Sequence, residues 1–174
     1  MVRDLRADPP PAVWARSDAP VGVSFVPLAG RPDEALAPVW AAAYPPSHVD
    51  HVPGEIPLEF LDAVLSGRAA GPVLTSSLVA MADGEPIGAV VLTCLRADGP
   101  WEGGVFVADL FRDPDPRWTG AGGALLRRAL ASAAADGAPR AGLSVTEGNP
   151  VRRIYDELGF RSIHVSRKTQ APLR

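Results

Sequence analysis

Arg117-Trp118-Thr119-Gly120-Ala121-Gly122-Gly123 is the stretch on which the reading of this 174-residue chain turns. A basic residue precedes closely spaced glycines, and a helical run follows at once, Ala124-Leu125-Leu126-Arg127-Arg128-Ala129-Leu130. Upstream, Gly104-Val105-Phe106-Val107-Ala108-Asp109-Leu110-Phe111 has the character of a strand. Strand, glycine-rich loop and helix start together make an anion site. The first N–H groups of a helix lack intrahelical partners, and the helix dipole favours negative charge there. Glycine lets the backbone approach phosphate oxygens closely.

Three phosphate loops compete for this pattern. A Walker loop needs Lys beside Ser or Thr after the last glycine, and neither is present. A dinucleotide fingerprint needs G-x-G-x-x-G in a tight turn after the strand; Leu125 stands where its third Gly or Ala belongs, and Pro114 and Pro116 lengthen the turn. The remaining reading is an R-x-x-G-x-G loop for the pyrophosphate of coenzyme A. With Asp109-Leu110-Phe111-Arg112-Asp113-Pro114 ahead of Arg117-x-x-Gly120-x-Gly122, the chain resembles the GNAT superfamily of N-acetyltransferases. Those enzymes carry (Q/R)-x-x-G-x-(G/A) after a strand ending in a D-L-x-V-x-P-like segment. Arg112 departs from the pattern, which has an aliphatic residue there.

A second segment, Gly148-Asn149-Pro150-Val151-Arg152-Arg153-Ile154-Tyr155-Asp156-Glu157-Leu158-Gly159-Phe160, is similar to the family's G-N-x-x-x-x-x-Y-x-x-L-G-F. Physically it is a short capped helix, with Asn149 as N-cap, Pro150 at the first helical position and Gly159 as the stop. The two motifs cover about the last 70 residues of the chain. The resemblance implies an α+β fold of GNAT type. It has a mixed, mostly antiparallel sheet flanked by helices, and the strand before the phosphate loop and the next strand splay apart at the CoA site.

Composition agrees with one domain. The chain is 47% hydrophobic, long enough to bury a core without disulfides, and contains no apolar run near the roughly 20 residues of a membrane span. Cys94 is the only cysteine, which excludes an internal disulfide and a cysteine-cluster metal site. Residues 1–20, rich in Pro, Asp and Arg, read as a flexible N-terminal extension without a secretory leader, and 21–174 as a single domain. A cytoplasmic location is expected. Only one of the 17 basic residues is Lys, a usage that points to a GC-rich bacterial genome.

Charge is divided along the chain. Residues 1–116 hold 7 Arg against 16 acids, a balance of −9; residues 117–174 hold 9 Arg and Lys168 against 4 acids, a balance of +6. The basic part carries the cofactor motifs, and the acidic part is where an acceptor would bind. Arg127, Arg128, Arg152 and Arg153 taken singly read as solvated helix faces. No aromatic-rich stacking strand accompanies them, so no nucleic-acid partner is expected, and no membrane.

Patterning predicts strands at 21–27, 73–82, 86–95, 101–111, 140–147 and 160–168, and helices at 32–43, 58–65, 120–136 and 149–158. Asp83-Gly84 marks a hairpin. Leu126 and Leu130 should face the sheet.

For acetyl transfer, the main-chain N–H groups of Trp118, Thr119, Gly120, Ala121, Gly122 and Gly123 would bind the pyrophosphate, with Arg117 adding charge. Backbone groups at Leu110, Phe111 and Arg112 would pair with pantetheine, and one N–H would polarise the thioester. Tyr155 would be the general acid, the role that the resemblance gives it: a phenol of pKa ~10 stays protonated beside a thiol of ~8.5. Asn149 would bond pantetheine or an ordered water, or serve only as an N-cap. A carboxylate or a water chain must take the amine proton, and among the residues Asp109 leads over Glu102, Glu147, His48 and His51. His48-x-x-His51 with Asp50 lacks a third metal ligand, so no metal is expected. Cys94 reads as a small buried residue, which favours direct attack over an acetyl-cysteine.

The expected function is acetyl-CoA-dependent N-acetyl transfer to a small-molecule or peptide amine, with a homodimer allowed. The alternative is a non-catalytic acyl-CoA-binding module on the same scaffold. The acceptor region would be residues 35–65, which carry no recognised motif.

Overall fold

A computed structural model of the chain describes residues 1–16, 18–29, 33–94 and 103–163. Among these, β1 (Val2–Asp4), β2 (Val23–Pro27), β3 (Leu78–Ala82), β4 (Glu85–Cys94), β5 (Val105–Arg112) and β6 (Arg140–Leu143) form one sheet in the order 1-6-5-4-3-2. Every neighbouring pair is antiparallel except β5 and β6, which run parallel. The helices are α1 (Asp33–Ala43), α2 (Pro57–Leu65), α3 (Ala121–Ala135) and α4 (Arg152–Glu157).

Asp83 and Gly84 both take positive φ, 51° and 86°, and join β3 to β4 in a two-residue hairpin whose flanking residues Ala82 and Glu85 pair. That twist matches the right-handed twist of the strands. Central β4 is buried over seven consecutive residues because both of its faces are covered. On one face, α1 and α2 bring Leu36, Trp40, Leu61 and Val64 against Val79, Ala89, Val91 and Phe111. On the other, α3 brings Leu125, Leu126, Ala129 and Leu130 against Val90, Leu92, Val105 and Val107. Each of the Val, Leu and Phe side chains among them contributes about 1.5–3 kcal/mol on burial.

The first residues differ from the expectation of a flexible extension over 1–20. Val2–Asp4 pair with β6, and Met1, Arg3 and Leu5 are buried. Arg3 is the reason a charged segment docks: its guanidinium donates to the Leu158 carbonyl at 2.5 Å and to the Asp8 carbonyl at 3.0 Å, and lies 4.5 Å from the Trp14 ring centre. Several strands are shorter than their patterning, with β2 starting at Val23 and β5 at Val105. Ahead of Leu78 only a bridge between Val73 and Thr93 forms, and β6 stops at Leu143. Of the strand expected over 160–168, the described part makes one bridge, Arg161 to Val2; residues 164–168 lie outside the described residues.

Candidate active site

β5 and β6 pair only over Val105–Val107 with Ala141–Leu143. Beyond Val107, β5 runs on to Arg112 while β6 has ended, so the edge of β5 from Ala108 onward is not covered by β6. This is the opening expected between splayed strands.

A bulge sets what faces this opening. Val91 pairs with Asp109 and Leu92 with Val107, leaving Ala108 as the extra residue. In an unbroken strand Val107 and Asp109 would share a face. Here Val107 packs on the α3 side while Phe111 packs on the α1 side, and Asp109 turns to α1 with it. Asp109 is 9% exposed and accepts three hydrogen bonds: from Trp40 Nε1 at 2.8 Å on Oδ2, and from the Tyr44 hydroxyl at 2.7 Å and the Leu110 N–H at 2.8 Å on Oδ1. Burial pushes its carboxyl up to about 6 against the pull of these donors.

The glycine loop is partly spent on its own fold. Pro116–Trp118 form a 3-10 turn capped by Asp115, which accepts from the Arg117 N–H at 2.9 Å. The Trp118 N–H donates to the Asp115 carbonyl and the Thr119 N–H to the Pro116 carbonyl, at 3.0 and 3.1 Å. These two amides therefore leave the set of pyrophosphate donors expected from the sequence. Ala121, Gly122 and Gly123 begin α3, and the first intrahelical bond back to Gly120 is made by the Ala124 N–H. The amides of these three residues have no intrahelical carbonyl to donate to. Gly120 caps the helix at φ 93°, a conformation that excludes most side chains, and open space lies where Cβ atoms of Gly120 and Gly122 would stand. The cradle thus fits a phosphate group. Arg117, 70% exposed, is paired with Asp115 at 2.8 Å and stacked 4.9 Å from the Trp118 ring centre. The Arg112 guanidinium folds onto the Asp113 and Asp115 carbonyls and stiffens the approach to the loop.

Leu110 is likewise committed. Its N–H serves Asp109, and its carbonyl lies 3.4 Å from the Tyr44 hydroxyl. Its N–H is thus committed to Asp109, while the one Tyr44 hydroxyl proton has Asp109 Oδ1 at 2.7 Å as its nearer partner and this carbonyl as the longer one.

Asn149 is buried but is not the N-cap, since α4 starts at Arg152 with Val151 as the cap residue. Its Oδ1 accepts from the Val151 N–H at 2.9 Å and its Nδ2 donates to Asp50 Oδ2 at 2.6 Å. Both ends of the amide are therefore engaged within the protein. Gly159, at φ 82°, ends α4 as expected, and the Phe160 N–H closes onto the Tyr155 carbonyl at 2.9 Å. Tyr155 is buried on α4; burial first, then the charges of Asp109 and Asp50, push its phenol above its ordinary range.

The other base candidates separate cleanly. Glu147 is exposed, and Glu102 lies outside the described residues. His48 Nδ1 accepts from the Asp50 N–H at 3.1 Å, and His51 Nδ1 donates to the Tyr44 carbonyl at 3.0 Å. Among the described residues no group of three His, Cys, Asp or Glu side chains is placed to hold a metal. Cys94 is exposed at the end of β4 rather than buried, and pairs with Val105 at the far end of β5 from Leu110. Arg152 and Arg153 face Asp156 and Glu157 on their own helix, at 3.9 and 2.9 Å.

Two site residues escaped the sequence, Trp40 and Tyr44. Leu36 and Trp40 on α1 and Tyr44 just past its end recur at a spacing of four, which reads as an apolar stripe. Only their polar tips, converging on Asp109, give them away.

The family model for the acetyltransferase (GNAT) family matches residues 34–160. No curated protein matches the chain. Among solved structures, the chain is similar to a ribosomal-protein-alanine N-acetyltransferase from Brucella melitensis biovar Abortus, with TM-score 0.63 and 21% identity over 86% of this chain and 99% of that one. It is similar to a GNAT family acetyltransferase from Brucella melitensis solved with acetyl-CoA, with TM-score 0.62 and 25% identity over 80% and 83%. A third is the aminoglycoside N-acetyltransferase AAC(6')-Iy with a bisubstrate analogue, with TM-score 0.61 and 17% identity over 87% and 99%.

Proposed function

The chain belongs to the acetyltransferase (GNAT) family, and from that premise we propose that it transfers the acetyl group of acetyl-CoA directly to a primary amine of a small molecule or peptide. The observation that carries this reading is a buried carboxylate, Asp109, at the open edge of β5, within electrostatic range of the Tyr155 phenol.

Acetyl-CoA supplies an acetyl group activated as a thioester. The amides of Gly120, Ala121, Gly122 and Gly123 hold its pyrophosphate against the helix dipole. The open β5 edge through Arg112 receives the pantetheine. Asp109 is the sink for the proton that a Lys-like amine, of pKa ~10.4, must lose before it can attack. Tyr155 keeps its proton because burial and two carboxylates oppose its ionisation, and it offers that proton to the departing sulfur. One C–N bond forms and one C–S bond breaks. The proton lost from nitrogen after attack balances the one that sulfur gains.

The acceptor is a cationic amine. Asp50, Asp109 and Glu55 supply negative charge around the Tyr44 loop: Asp50 and Asp109 both raise the Tyr44 phenol, and Glu55 raises Asp109. Attraction of an approaching amine through solvent is screened over about 8 Å near physiological salt, so acceptor KM should rise with salt.

The test is thiol release from acetyl-CoA with an amine panel, for the wild type and Tyr155→Phe. The variant should lose roughly 10²–10⁴ in kcat with acetyl-CoA affinity unchanged. CoA binding without thiol release on any amine would instead indicate an acyl-CoA-binding module.

A further inference from the structure

We propose that Tyr44 is a catalytic residue of this site: its hydroxyl receives the proton of the acceptor ammonium and passes its own to Asp109, so that the amine is deprotonated without touching the carboxylate. The inference rests on the amine-acetylation reading above and adds to it the group that meets the amine.

The argument is one of hydrogen-bond capacity. Asp109 Oδ1 has two lone pairs, and both are taken, by the Tyr44 hydroxyl and by the Leu110 N–H. Oδ2 accepts from the Trp40 indole on the α1 side and keeps one lone pair, but the residue is nearly sealed from solvent. An ammonium group can bond Oδ1 only by displacing Tyr44 or Leu110, and burial restricts its approach to Oδ2. Tyr44, in contrast, is only half-buried. Its single proton points at Asp109 at 2.7 Å, and the Leu110 carbonyl at 3.4 Å is the weaker alternative. A phenol that has donated its proton keeps two lone pairs as acceptors. Tyr44 therefore offers, from a half-buried position, a basic oxygen more accessible than the carboxylate of Asp109.

The ring is held for this task. It tilts against Trp40 at 4.9 Å between centroids and meets His48 edge-on at 5.1 Å, while the His51 ring binds its carbonyl. The step balances as a double proton transfer. The N–H bond of the ammonium breaks as an O–H bond forms at Tyr44. The old Tyr44 O–H bond breaks as one forms at Asp109 Oδ1; after the product leaves, the reverse shift returns that proton to Tyr44 as the hydroxyl gives one to water. No electrons change hands. Tyr44 need never ionise, which suits a phenol that burial and Asp109 hold well above its ordinary range. The titratable groups around it are Asp109 on β5, Tyr155 on α4, and Asp50, His48 and His51 on the segment after α1, while Glu55 acts on Asp109.

The discriminating experiment compares amines that do and do not need a base. Thiol release from acetyl-CoA is followed with butylamine, a lysyl peptide, spermidine and an aminoglycoside, all protonated at neutral pH, and with hydroxylamine, which is already unprotonated. Wild type, Tyr44→Phe and Asp109→Asn are compared at pH 7, with CoA affinity measured by calorimetry. Phenylalanine keeps the ring packing, so the variant folds. The ratio of kcat/KM for the best protonated amine to that for hydroxylamine should fall about 100-fold in both variants. An equal loss for all amines would make Tyr44 a packing residue and overturn the relay, as would no loss at all. If the wild type releases no thiol with any amine, the acetyl-transfer reading falls and the relay falls with it. Wild-type turnover with an unchanged ratio in Tyr44→Phe overturns the relay alone.

Discussion

Asn149 Nδ2 donates to Asp50 Oδ2 at 2.6 Å, across 99 residues of sequence. The bond ties the turn before α4, which carries Tyr155, to the segment after α1, which carries His48 and His51. It thereby joins the proposed acid side of the site to its acceptor side. An amide bonded to a charged carboxylate contributes about 1.5–3 kcal/mol where it is sheltered, and Asn149 is buried.

The tie can be separated from the charge. Asp50→Asn keeps an acceptor oxygen for Asn149 and removes the charge; Asp50→Ala removes both. If the bond positions the acceptor segment, Asp50→Ala lowers acceptor kcat/KM roughly tenfold beyond Asp50→Asn, with CoA affinity unchanged in both. Steady-state kinetics with calorimetry of CoA binding checks this. Equal effects in the two variants would assign the role of Asp50 to its charge.

Gly122→Ala should move stability and binding in opposite directions. Gly122 is helical and has no atom within 4 Å of a Cβ built on it. Alanine there gains up to about 1 kcal/mol in helix propensity and unfolded-state entropy. The same methyl group stands at the helix start where a pyrophosphate oxygen would approach. Urea unfolding should show the gain, and calorimetry should show weaker CoA binding. Gly120→Val differs in sign on the first count, because φ 93° strains any branched residue.

Asp109 gives a pH-dependent stability of unusual direction for an acid. Its carboxyl titrates near 3.8 when solvated and at about 6 in the fold, raised first of all by burial. The folded state therefore holds the proton more tightly. The contribution is fully present below about pH 4 and is lost as pH rises through 6, on the order of 3 kcal/mol in all. Asp109→Asn carries no such titration. The stability of the wild type relative to this variant, measured by urea unfolding, should fall by that amount between pH 4 and pH 7. A difference that stays constant with pH would place Asp109 in a solvated setting.

Most of the fold was legible because its signals are local. Asp83-Gly84 demands a two-residue hairpin, Gly159 demands a helix stop, and Leu126 with Leu130 marks the buried face of α3. The glycine loop was legible for the same reason: it is a continuous stretch in which each feature has a backbone cause. What stayed hidden depends on distant pairs. The docking of Val2–Asp4 rests on Arg3 meeting a carbonyl 155 residues away. Asn149 looks like a cap until Asp50 arrives beside it. Asp109 was identified by its place in the motif, but the Ala108 bulge decides which face it takes, and a bulge leaves no mark in an alternating apolar strand. Trp40 and Tyr44 were concealed by their own hydrophobic bodies, since a stripe of large residues at helical spacing describes a core equally well.

Trp40→Phe should shift the pH profile of the enzyme in a direction that packing alone does not predict. The indole N–H holds Asp109 Oδ2 at 2.8 Å and favours the ionised carboxylate, opposing the effect of burial. Phenylalanine removes that donor and leaves burial in place, so the Asp109 carboxyl rises further above about 6. A base must be ionised to work, so the acidic limb of kcat/KM should move to higher pH, with the plateau value retained once Asp109 is again ionised. The smaller ring also leaves a gap among Leu36, Leu61 and Phe111, at a cost of about 1–2 kcal/mol in unfolding free energy. That loss is common to any role for Trp40; the displaced limb is not. Measuring kcat/KM from pH 5 to 9 with a protonated amine separates the two. An unmoved acidic limb in a folded Trp40→Phe protein would mean that Asp109 is not the group whose ionisation controls turnover.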